Sequence, residues 1–170
     1  DSLLQALDQF AEAKIYLTGV NADPDNRVIQ TKMQNFAAQR SDRVFLCTSL
    51  GQKNYHGMLH HADAVIGNSS SGIIEAPAMG TPTVNIGDRQ SGRPKTDSVV
   101  DCPIDVEAIV SAIRTALSPD MLQKASERPS AYGDGRAAEQ IVDVLRTVSL
   151  QGLLKKKFHD PVSPRRGDLQ

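Results

Sequence analysis

At 170 residues the chain has the length of one domain, and burying roughly 70% of its unfolded surface lets it hold a core without disulfides or a metal. A net charge of −1 excludes a broad polyanion-binding face, and 4% aromatics with no Trp exclude a base-stacking nucleic-acid platform. No apolar run approaches the ~20 residues of a membrane span and no cleavable leader is read at the start, so the expectation is a cytoplasmic protein with neither nucleic acid nor membrane as partner.

Strand and helix patterns alternate along the chain. Residues 2–13 read as a helix with Leu3, Leu4, Leu7 and Phe10 on one face. A strand follows at 14–18, then a helix over 26–40 carrying Val28, Met33, Phe36 and Ala37. Residues 44–48 read as a strand, 54–62 as a helix and 64–68 as a strand. The helix over 72–79 contains Pro77, which kinks it or ends it early. Strands at 82–86 and 98–101 come next. Asp105 caps the helix over 106–117, whose stripe is Val106, Ile109, Val110, Ile113 and Leu117. Helices over 121–127 and 136–148 close the series, the last with Ile141, Val142, Leu145 and Val148 facing inward.

This alternation predicts an α/β fold, a Rossmann-like parallel sheet sandwiched by helices. The expected domain spans 1–150 and opens on a helix, so its first strand is read as missing. Residues 151–170 form a basic tail with Lys155, Lys156, Lys157, Pro161, Pro164, Arg165 and Arg166, a charge run that suits a solvated face. Cys47 and Cys102 lie in or beside strand text and read as free thiols of a reducing compartment. His56 and His60 stand at helical spacing, but no glutamate of the H-E-x-x-H kind lies between them, so no metal and no cofactor is expected.

The most informative stretch is Asp63-Ala64-Val65-Ile66-Gly67-Asn68-Ser69-Ser70-Ser71-Gly72-Ile73-Ile74-Glu75. It reads as a buried strand, a hydroxyl-and-glycine turn, and the start of a helix. The first turn of a helix carries N–H groups without intrahelical partners and positive partial charge. Serines and a glycine there let a phosphate approach closely. Capping competes with this reading, because Ser70 or Ser71 serves equally as an N-cap. The spacing is not that of a G-x-S-x-G nucleophile elbow, and no P-loop lysine follows.

The downstream text is Gly80-Thr81-Pro82-Thr83-Val84-Asn85-Ile86-Gly87-Asp88-Arg89-Gln90-Ser91-Gly92-Arg93. Together the two stretches resemble the hydrolysing branch of the UDP-N-acetylglucosamine 2-epimerases, which show G-N-S-S-x-G-x-x-E followed by G-x-P-x-x-N-x-G-x-R-Q-x-G-R. Asn21-Ala22-Asp23 resembles the family's P-N-x-D segment, although Asn-x-Asp-Pro is also ordinary turn chemistry. The non-hydrolysing branch's T-D-S-G-G-x-Q-E-E is not matched.

The resemblance implies the second half of a GT-B-type two-domain enzyme, with UDP and UDP-N-acetylglucosamine as ligands and an N-terminal domain as partner. It implies a homo-oligomer for the full-length enzyme and no activity for this domain alone. Ser69, Ser70, Ser71 and Gly72 become the phosphate cradle, Glu75 the acceptor of the ribose diol, and Arg89 the arginine facing the phosphates. Arg93 is a second candidate, with Gly92-Arg93-Pro94-Lys95 reading equally as a solvated loop. Asn21 adds a phosphate or ribose contact, and Leu50 marks the backbone position that reads uracil, though its side chain carries no chemistry. The implied reaction is elimination of UDP followed by hydration, with catalytic groups outside this chain and none assigned within it. The nucleotide-binding half of a GT-B glycosyltransferase and a stand-alone nucleotide-sugar-binding module are the competing readings.

Overall fold

The computed structural model describes residues 1–19, 26–152 and 154–155, and Asn21 and most of the basic tail lie outside them. Helix α1 spans Ser2–Asp8, strand β1 Ile15–Thr18, helix α2 Asn26–Ala38, strand β2 Val44–Cys47 and helix α3 Gly51–His61. Strand β3 (Val65–Gly67), helix α4 (Ser71–Met79), strand β4 (Thr83–Ile86) and strand β5 (Val99–Cys102) follow. Helices α5 (Val106–Ala116), α6 (Pro119–Ser126) and α7 (Ala137–Thr147) complete the order.

Element type and order agree with the periodicity, and the differences are at ends. Helix α1 stops at Asp8 rather than 13 because the N–H groups of Gln9 and Phe10 bond three residues back, to Ala6 and Leu7, which tightens the last turn. Helix α4 continues past Pro77 to Met79, two residues beyond the proline. Gly80 then ends it at φ 88°, a left-handed cap in which its N–H bonds to Pro77 and that of Thr81 to Ala76. Asp105 caps α5 as expected, accepting from the Ala108 N–H at 3.0 Å.

All strand pairs are parallel. Strand β1 pairs with β2, and β3, β4 and β5 pair in that order. The single sheet expected from the alternation is therefore present as two ladders. In the three-stranded ladder β4 is central and buried along its whole length, as a strand covered on both faces must be. Val84 and Ile86 join Ile109, Val110 and Ile113 of α5 and Ala6 and Leu7 of α1 in the core, which continues to Ile15, Phe36 and Val44.

The register places the loops of the two quoted motifs side by side. Gly67 stands opposite Asn85, so residues 68–71 leave the sheet beside residues 87–93, both at carboxyl ends of strands, where open parallel sheets bind ligands.

Residues 1–132 and 133–170 form two separate compact units. In the second unit, α7 is amphipathic, but Ile141, Val142, Leu145 and Val148 are exposed rather than inward. The reason is local: within that unit α7 is the one described helix, and a lone helix has nothing to bury its stripe against. In the first unit, Val28 and Leu117, also read as core, are exposed, while Phe36 and Ile113 of the same stripes are buried. No described helix is long and apolar enough to cross a membrane.

Candidate functional site

The turn between β3 and α4 is built so that its polar groups stay available. Ser70 occupies the N-cap position of α4, but its backbone is in the helical region (φ −61°, ψ −26°) and its hydroxyl makes no cap bond. A capping serine adopts extended backbone so that its oxygen can turn back on the helix; Ser70 does not. Ser69 performs the local work instead. Its hydroxyl accepts from the Ser71 N–H at 3.3 Å and its carbonyl from the Gly72 N–H at 3.1 Å. Among the described residues the N–H groups of Ser69 and Ser70 have no hydrogen-bond partner within the protein, and both precede a nine-residue helix whose dipole favours an anion there.

Gly72 explains how the helix start can lie so close to the sheet. A Cβ at this position would stand 2.8 Å from Thr83 Cγ2, a distance that side-chain carbons do not adopt. Thr83 is itself buried and β-branched, so the space can be left open only by glycine.

Glu75 lies one turn along α4 from Ser71, on the same face. His56 Nε2 is 2.9 Å from its Oε1, and Tyr55 Oη is 2.7 Å from Ser71 Oγ. The hydrogen bond from His56, joined by one from the Ser71 hydroxyl, holds the Glu75 carboxyl below the usual glutamate range in spite of its partial burial. A carboxylate offers about four lone-pair positions, so Glu75 retains acceptor capacity beyond these two partners. Its bonds also clamp α3 to α4, and His60 Nδ1 adds a contact to the Met79 carbonyl at 3.2 Å.

The loop after β4 is fastened to the same turn. Gln90 is buried, and its Nε2 donates to the Asn68 carbonyl at 2.7 Å. That bond ties the residue following Arg89 to the residue preceding Ser69. Arg89 and Arg93 are both exposed, and neither takes part in an ion pair among the described residues. Lys95 is committed elsewhere, to Asp101 at 2.5 Å, and Asn85 Nδ2 donates to the other oxygen of that carboxylate at 2.7 Å. Burial pushes the Asp101 carboxyl up, but the bonds from Lys95 and Asn85 outweigh it and hold it below the usual range.

Of the residues singled out in the sequence, Ser69, Ser70, Ser71, Gly72 and Glu75 lie on one turn and helix. Arg89 enters on the adjoining loop, and Arg93 sits further out on the same loop. Leu50 is at the N-cap position of α3, after β2, in the other ladder, and Asn21 is outside the described residues. His56, Tyr55 and Gln90 were not read from the sequence as part of this cluster. Helical spacing of His56 with His60 was visible, but the partner across a helix interface, Glu75, has no local signature. Gln90 lies within the quoted arginine motif, and only the fold shows that its side chain turns inward.

Comparison with known proteins gives the family and the fold. The sequence profile of the family described as UDP-N-acetylglucosamine 2-epimerase matches residues 1–146. The chain belongs to this family. It is 34% identical over 160 residues to the GDP/UDP-N,N'-diacetylbacillosamine 2-epimerase (hydrolyzing) of Campylobacter jejuni, covering 94% of this chain and 41% of that protein. It is 32% identical over 147 residues to the polysialic acid biosynthesis protein P7 of Escherichia coli, covering 86% of this chain and 37% of the relative. The chain thus spans about two-fifths of the length of these relatives. A crystal structure of a UDP-N-acetylglucosamine 2-epimerase superposes with a TM-score of 0.67 at 23% identity, over 96% of this chain and 44% of that one. The Neisseria meningitidis enzyme, solved bound to UDP-GlcNAc, gives a TM-score of 0.64 at 18% identity over 85% of this chain and 39% of that one. These likenesses establish the α/β fold of the epimerases for this chain.

Proposed function

We propose that this chain is the UDP-binding part of a hydrolysing 2-epimerase acting on UDP-N-acetylglucosamine or a diacetamido relative, in the manufacture of sialic-acid-type sugars. The observation that carries the reading is the unspent start of α4. Among the described residues, two N–H groups and the Ser70 hydroxyl are without protein partners, and the Arg89 loop is bonded to the same turn through Gln90. A diphosphate matches this arrangement in charge and in its demand for donors. Glu75 is suited to the ribose diol because a carboxylate only accepts hydrogen bonds and the diol supplies two donors. The names of the Campylobacter and Escherichia relatives support the hydrolysing branch and the class of pathway.

In the proposed reaction UDP leaves anti across the C1–C2 bond as the C2 proton is removed, giving a glycal. Water then adds back with inversion at C2. The role assigned to this chain is to bind UDP and to stabilise negative charge on the departing diphosphate with preorganised donors. The base and acids are assigned to the remainder of the longer protein, so the 170-residue chain alone is inactive in this reading. Titration calorimetry tests the site directly: UDP should bind at least about tenfold more tightly than uridine, the equivalent of one contact of ~1.4 kcal/mol. Equal affinity for the two would remove the phosphate cradle.

A further inference from the structure

Two consecutive residues of α3 reach two residues of α4 that stand one turn apart. Tyr55 Oη is 2.7 Å from Ser71 Oγ, and His56 Nε2 is 2.9 Å from Glu75 Oε1. The chemistry of the four groups fixes which way each bond runs. An ionised carboxylate only accepts hydrogen bonds, so His56 carries a proton on Nε2 and donates it to Glu75. The Ser71 hydroxyl has a single proton, and that proton goes to Glu75. Ser71 Oγ is therefore the acceptor in its bond with Tyr55, and the tyrosine is the donor. Two lines of donors, one from each α3 residue, end on the Glu75 carboxylate.

The same count removes Ser71 from the phosphate donors. Its N–H is given to Ser69 Oγ at 3.3 Å and its O–H to Glu75, so it has no donor left for an anion. The N–H groups of Ser69 and Ser70 remain unspent among the described residues. The segment thus divides into a donor pair, Ser69 and Ser70, and an acceptor unit, Ser71 with Glu75. The side chains of His56 and Glu75 are 30% and 38% exposed, so the pair is open to a ligand rather than sealed between the helices. An ion pair this exposed adds little to stability; what it does fix is the rotamer of the glutamate. An unheld glutamate samples several rotamers, and a ligand that needs one of them loses about two- to tenfold in affinity by ordering it. Held from α3, Glu75 is ordered beforehand and still has lone pairs for two further donors.

We infer that His56, together with Ser71, is a positioning residue for sugar recognition: it holds Glu75 in the rotamer that accepts from the vicinal diol of a ribonucleotide, and so sets the preference of the site for ribose over deoxyribose. This rests on the assignment of Glu75 to the ribose under the proposed function, and on nothing at the phosphate end. It moves Ser71 from the phosphate side of the site to the ribose side. Tyr55 supports the arrangement through Ser71 and needs no contact with the ligand to do so.

Calorimetry of the chain with UDP and with 2′-deoxy-UDP reads the preference as a ratio of affinities. His56→Leu removes the donor and should lower the ratio about two- to tenfold. His56→Gln carries an amide N–H near the position of Nε2 and should restore most of it. If His56→Leu does not fold, His56→Asn, whose amide reaches only to the Nδ1 position, takes its place with the same expected loss. Ser71→Ala should lower the ratio by the same route; a fall in the preference for UDP over uridine instead would return Ser71 to the phosphate and overturn the inference. A residue that only clamps α3 to α4 acts on both nucleotides alike and leaves their ratio unchanged. A ratio that Glu75→Ala abolishes but His56→Leu leaves intact, or a Gln variant no better than the Leu one, would therefore overturn the role of His56 while the ribose assignment stands. A ratio near one in the unsubstituted chain would overturn the ribose assignment and the inference with it.

Discussion

Replacing Gly72 by alanine sets two effects of known sign against each other. Alanine is favoured over glycine within a helix by about 1 kcal/mol, which would make the substitution stabilising if space allowed. The added Cβ would stand 2.8 Å from Thr83 Cγ2, and Thr83 is buried on the fully buried strand β4. Overpacking of this kind costs about 1–3 kcal/mol, because neither the helix start nor a β-branched side chain can give way cheaply. The net expectation for Gly72→Ala is destabilisation of about 0–2 kcal/mol. Thr83→Ser removes the opposing methyl and keeps the hydroxyl. On that background Gly72→Ala should therefore become stabilising by up to about 1 kcal/mol, for a coupling of about 1–3 kcal/mol between the sites. Urea unfolding of the four proteins measures this. With a slope of about 2 kcal/mol per molar, the coupling corresponds to midpoint differences of about 0.5–1.5 M at unchanged slope. Additivity within about 0.5 kcal/mol, or stabilisation by alanine in the original background, would show that this glycine is not there to bring α4 against the sheet.

Arg89→Ala should remove a charge-assisted contact of about 1.5–3 kcal/mol and narrow the preference for UDP over uridine in calorimetry, leaving uridine affinity in place. Glu75→Ala should weaken UDP more than 2′-deoxy-UDP; unchanged discrimination between the two would return Glu75 to a purely structural role as the His56 partner. The Glu75 carboxyl is lowered in the folded state by His56 and then Ser71, so its contribution to stability is present above the ordinary glutamate value near 4.5 and is lost as pH falls through the lowered folded value. Melting curves between pH 3 and 6 should show that loss, and His56→Ala should shift it upward in pH by removing the principal cause. Asp105→Ala should cost about 1 kcal/mol through loss of the α5 cap, seen as a lower urea midpoint without effect on UDP affinity.

The sequence by itself determined the order and type of every described element, the parallel α/β class, the Asp105 cap and the two motifs that resemble the family's. Each of these rests on near neighbours in the chain: periodicity, capping chemistry and loop residues act over a few positions, so a linear reading contains them. What tertiary structure decided rests on pairs distant in sequence. Gly72 is needed because of Thr83, Glu75 is held by His56, and the Arg89 loop is tied down because Gln90 reaches Asn68. The Ser70 hydroxyl illustrates the division within a single residue. Its place at a helix start was legible, but whether it caps the helix depends on the backbone angle with which the chain leaves β3, and that angle is imposed by packing α4 against β4. The same applies to α7, whose apolar stripe was plain in the sequence and whose exposure follows from what its own unit lacks. Periodicity states which face of a helix must be covered; only the assembled fold states what covers it.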